Sequence, residues 1–152
     1  MHEFRPLNEI RMEHTVSKVD VALVHLRTAI QLYNINNFIS AITLAGAAED
    51  ILRNLAEKKS GRSSAIDEKI FVDQLASYLE KPKPSFEKVL RSRNRLKNEL
   101  KHNDNGEDSL IREDFRFEAE TFILGAIKNY ALITGEEPKD RVIRRWSHTV
   151  PL

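Results

Sequence analysis

Apolar side chains recur along this chain at intervals of three and four, the period of an α-helix, in five successive stretches. From about Glu13 to Asn34, the residues Val19, Leu23, Leu26, Ile30 and Tyr33 form one stripe on a long helix. "NINN" (Asn34 to Asn37) interrupts it, and a second stripe of Ala41, Leu44, Ala45, Ala48, Ile51, Leu52 and Leu55 follows. Gly61, in "KKSGRSS", is the natural stop for that second helix. Two long helices joined by so short a link pack antiparallel. The small residues of "LAGAAED" permit a close approach to whatever lies opposite, which is read as tight packing within the chain.

A shorter helix is expected over Ile66 to Leu79, with Ile70, Phe71, Leu75 and Tyr78 turned inward. It ends at "KPKP", because residues preceding proline avoid helical dihedrals. Ser85 then has the character of an N-cap for a helix from Phe86 to about His102, which "NDNGED" closes. The last long helix, near Arg112 to Thr134, turns Phe115, Ala119, Phe122, Ala126, Tyr130 and Ile133 inward and stops at "GEEP". The remainder, "KDRVIRRWSHTVPL", is a basic tail carrying Trp146, to be found either as a short helix folded back on the bundle or as a loose arm. The expectation is one all-α domain over residues 1–152, an antiparallel bundle of about five helices with its core near 13–135 and a basic C-terminal tail, 136–152.

Composition sharpens this only in part. Charged residues make up 31% of the chain, yet Lys plus Arg number 24 against 23 Asp plus Glu, so any cationic site must come from local clustering. The chain has no cysteine, which excludes disulfides and thiolate metal sites and fits a cytoplasmic protein. No run approaches the roughly 18 apolar residues of a membrane span, and "MHEFRPLNEIRMEH" is charged throughout, so neither a secretory signal nor a membrane anchor is expected. His2, His14, His25, His102 and His148 do not form a metal-ligand spacing, and no phosphate-cradling glycine loop or nucleophile motif is present. No metal or cofactor is expected.

Local clustering is found on the fourth helix. Advancing about 100° per residue puts Phe86, Val89, Leu90, Leu96 and Leu100 on one face, and Arg93 and Lys97 fall within it. A cation aimed at a core needs an acidic partner or an escape to a cleft. Arg91, Arg95, Asn98 and His102 lie on the opposite side as a cationic ridge, with Lys101 nearby. Such a ridge is either a solvated helix end that complements the macrodipole or a phosphate site built from forked donors, an amide and an imidazole. On the second helix, Glu49 sits beside the apolar stripe, so it should be partly buried and in want of a cation: Arg53 one turn on, or Arg93 or Lys97 from the facing helix. Asp50 points away from the stripe, toward solvent.

"KNELKH" (Lys97 to His102) resembles the signature of HEPN domains, small all-α bundles in which an arginine, usually followed by a polar residue, precedes a histidine with four to six residues between them. Asn98, Lys101 and His102 match, Lys97 stands where the family has arginine, and Arg95 satisfies the longer spacing. "AAEDIL" (Ala47 to Leu52) is similar to the acidic position that many members carry, and the helix order agrees over roughly 13–135. The resemblance implies an RNA-binding protein and metal-independent endoribonuclease of a toxin–antitoxin or phage-defence system. It would act as a homodimer whose two motifs share a cleft, with an antitoxin or other protein partner possible. His102 would then be the acid/base, Arg95 or Lys97 would hold the phosphate, Asn98 would orient it and Glu49 would position the cation. Arg91, Arg93 and Lys101 would extend the RNA contact. A lysine does not reproduce the guanidinium fork. The alternative implied by that departure is a catalytically inactive HEPN-like module that binds a protein, RNA or a nucleotide.

Overall fold

The computed structural model describes residues 14–150. Most of "MHEFRPLNEIRMEH", and the last two residues of the basic tail, lie outside them. Six helices follow in order: α1 (Lys18–Asn34), α2 (Phe38–Ser60), α3 (Ser64–Tyr78), α4 (Phe86–Lys101), α5 (Phe115–Thr134) and α6 (Arg141–Thr149). There is no strand among the described residues. None of these helices is long and apolar enough to cross a membrane.

Each helix starts where a short polar side chain takes up a free amide of the first turn. Ser17 closes a capping box with Asp20, and Asn37, Ser63, Ser85, Asp114 and Asp140 accept from Ser40, Ile66, Lys88, Phe117 and Val142 respectively. The Ser17 cap sets the start of α1 at Lys18 rather than near Glu13. Gly61 ends α2 in the left-handed region (φ 67°), a conformation that costs a glycine little.

α2 and α5 form the largest helix pair and α1 packs along α2. Leu26, Ile30, Ile42, Leu52, Phe122 and Ile123 make the dry centre between them. α6 brings the helix count to six. The basic tail folds back as a helix whose Ile143 and Trp146 are buried, and Asp140 at its start meets Arg27 of α1 at 3.5 Å. Trp146 packs edge-on against Tyr33, with ring centroids 5.7 Å apart.

α3 differs most from expectation. Ile70, Phe71, Leu75 and Tyr78 point outward, 51%, 64%, 46% and 84% exposed. The helix instead docks along Ala65, Val72 and Ala76, a second line at helical spacing, with Ala65 and Ala76 buried. These small side chains bring α3 close enough for polar groups at its start to reach α2, α4 and α5, which the bulky stripe would prevent.

Candidate functional site

α4 carries the residues singled out for chemistry, and the fold sends its two cationic lines to different places. Lys97 is the largest fully buried side chain among the described residues. Its ammonium reaches Asp50 Oδ2 at 2.6 Å and lies 5.8 Å from the Phe122 ring centroid. Its stem runs over Gly46: a Cβ there would sit 2.2 Å from Lys97 Cδ. The glycine of "LAGAAED" thus makes room for a lysine, and Asp50 is no free surface carboxylate but the acceptor for Lys97, its side chain 35% exposed. Arg53 approaches Asp50 (3.8 Å) and Glu57 (3.5 Å), and does not pair with Glu49.

Arg93 enters the bundle one turn earlier. Its Nη2 donates to Glu49 Oε1 at 3.2 Å and to Ser64 Oγ at 2.9 Å, and its Nη1 donates to Glu68. Glu49 is fully buried and its Oε1 also accepts from Ser64 Oγ (3.3 Å) and Asn129 Nδ2 (3.2 Å). Asn129 Oδ1 in turn accepts the Ser64 amide at 2.7 Å, tying α3 to α5. Gly125 leaves space for this network, since a Cβ there would lie 2.7 Å from Arg93 Nη2. Glu49 Oε2 and Arg93 Nε have no hydrogen-bond partner among the described residues. Ser64, Glu68, Asn129, Gly46 and Gly125 had no place in the sequence-level site.

The outer ridge behaves differently. Arg91 pairs with Glu87 at 3.2 Å, and Arg95 pairs with Glu99 at 3.0 Å and with Glu113. The hydrogen bond to Glu113 raises the Arg95 guanidinium above its ordinary pKa, and both carboxylates lie against it. Burial, then the neighbouring Glu113, raises the Glu118 carboxyl above its ordinary value. Lys101, Asn98 and His102 are exposed, and His102 is the residue that ends α4, its amide donating to Asn98 O at 3.0 Å. His102 and Asn98 line a concavity of about 730 Å³ whose rim carries Glu99, Asp104, Glu107 and Asp108. Four carboxylates around one imidazole repel a phosphate rather than attract it.

Of the sequence-level set, the structure brings together Glu49 with Arg93 in the interior, and Asn98 with His102 at the outer cavity. It keeps Lys97 apart from His102, because residues 97 and 102 lie about 140° apart around a helix and Lys97 is buried. No group of three His, Asp or Glu side chains suited to a metal ion occurs among the described residues. Compared with family models, with curated proteins and with solved structures, the chain finds no match in any of the three.

Proposed function

We propose that the chain is a catalytically inactive HEPN-like interaction module that pairs with a second copy of itself, and not an endoribonuclease. The observation that carries this is the position of Lys97. The residue standing at the family's arginine is 1% exposed and neutralised by Asp50. The nearest alternative, Arg95, is held by Glu99 and Glu113. An imidazole that meets no guanidinium among the described residues, in an acidic cavity, lacks the means to stabilise charge growing on a phosphate. A role in a toxin–antitoxin or phage-defence system would then rest on binding. Purified protein incubated with single-stranded RNA and no divalent metal is expected to leave the RNA intact, and His102→Ala should behave identically. Cleavage that His102→Ala abolishes would restore the nuclease assignment.

Self-pairing is supported by the outer face of α3. Ile70, Phe71, Leu75, Tyr78 and Leu79 are each 46% to 84% exposed. Together they leave a run of large apolar side chains open to solvent along α3, the kind of patch that marks an interaction surface. Asp67 and Glu68 at the start of the helix are already paired, with Arg62 and Lys128 and with Arg93 respectively, so the pairing rests on apolar burial and not on charge. Sedimentation velocity should find the protein dimeric, and Phe71→Glu with Tyr78→Glu monomeric with an unchanged helical spectrum. A wild-type protein that stays monomeric across the concentration series would refute the pairing.

A further inference from the structure

Among the described residues, the densest cluster of arginines without an ion pair lies not on α4 but between α1 and α6. A groove of about 780 Å³ runs there, lined by Arg27, Lys139, Arg141, Arg144 and Arg145 over Trp146, with no carboxylate in its walls. Arg27 and Lys139 have partners in Asp140 (3.5 Å) and Glu136 (3.3 Å). Arg141, Arg144 and Arg145 are exposed, and the ion pairs among the described residues include none of them. Their spacing of three and four puts all three on one side of α6.

This arrangement is unfavourable for the isolated protein. Like charges one turn apart repel, and cations in the first turn of a helix oppose its macrodipole. Asp140 caps the helix, but its carboxylate is engaged with the Val142 and Ile143 amides and with Arg27, and the first turn itself holds no acidic residue. On α4 the fold does the reverse and gives Arg91, Arg93, Arg95 and Lys97 each a carboxylate. Uncompensated guanidinia concentrated in a concave wall are what a polyanion would neutralise.

From this we infer that the α1–α6 groove binds the phosphate backbone of single-stranded nucleic acid, a site independent of the His102 cavity and of any cleavage. The guanidinium forks match phosphate oxygens, and Gln31 and Asn34 in the same groove offer amide donors and acceptors to the sugars and bases. Trp146 is 3% exposed and forms the floor, not a stacking platform, so binding is governed by phosphates and tolerant of sequence. A flat anionic membrane is a poorer fit. The apolar side of α6, Ile143 and Trp146, is already buried, and nothing is left to insert.

The test uses the full chain and fluorescence anisotropy with a labelled 20-nucleotide mixed-sequence RNA and the DNA of the same sequence. Vesicles containing phosphatidylserine serve as a competing surface. Three arginine–phosphate contacts give a log–log salt slope near −2, so affinity should fall on the order of tenfold to twentyfold from 50 to 200 mM salt. Arg141→Gln, Arg144→Gln and Arg145→Gln combined should weaken binding at least tenfold at low salt and flatten the slope, with the thermal transition kept. The ridge variant Arg91→Gln with Lys101→Gln should stay within about twofold of wild type. Preference between RNA and DNA would identify the strand. Unchanged binding in the folded α6 variant, loss in the ridge variant instead, no binding to either strand, or tighter capture by the vesicles would each overturn the assignment. Cleavage of the RNA would bear on the nuclease question alone.

Discussion

Glu49→Ala is expected to destabilise the protein by about 3 kcal/mol, because it strands a buried guanidinium. Arg93, whose side chain is 7% exposed, would keep Glu68 but lose its innermost partner, and Asn129 and Ser64 would lose their shared acceptor. The whole network need not be worth that much relative to an apolar core. Removing one end of a buried pair is what costs most. Glu49→Gln keeps an oxygen for Ser64, Asn129 and Arg93 and removes only the charge, so its loss should be about half as large. Urea unfolding of the three proteins tests this ordering. Equal midpoints for wild type and Glu49→Ala would mean that the carboxylate is not buried against Arg93.

Gly46→Ala should go against the usual effect of its kind. Within a helix this exchange ordinarily stabilises by about 1 kcal/mol. Here the new methyl would occupy the channel of the Lys97 stem, 2.2 Å from Cδ and 2.7 Å from Cγ. The atoms in the way are mid-stem and buried, so the side chain cannot swing aside while its ammonium stays on Asp50. Overpacking and a broken ion pair together outweigh propensity, and a net loss of about 2–3 kcal/mol is expected by urea unfolding. Lys97→Ala in the same background should recover part of it. A Gly46→Ala protein more stable than wild type would contradict the packing.

What the sequence disclosed followed from locality. Caps such as Ser85 and stops such as Gly61 act through backbone groups three or four residues away, so they can be read in one dimension. The inward turn of Arg93 and Lys97 was equally legible, because helical rotation alone puts them among Val89 and Leu96, and the need for acidic partners follows from desolvation. Which acids answer is a tertiary matter: Glu49 is legible as a carboxylate beside an apolar stripe, whereas the spacing points Asp50 to solvent, because a lysine threading past a glycine leaves no local trace. α3 carries two helical lines, and the bulky one looked like the core. The smaller line won because close approach lets Ser64 reach Asn129, some sixty residues away in the chain. The sequence of the tail is compatible with both a helix and a loose arm. Its outcome depends on Trp146 finding Tyr33 on α1, which no spacing within the tail encodes.

The central claim is that Lys97, the first residue of "KNELKH", is a structural cation inside the bundle. Amine acylation of the native protein, read residue by residue by mass spectrometry, tests it most directly. Lys101, one turn away and exposed, should modify readily, while Lys97 should stay unmodified until the protein unfolds or until Gly46→Ala displaces it. Modification of native Lys97 as fast as Lys101 would contradict the account and return that ammonium to the surface, where it could meet a phosphate.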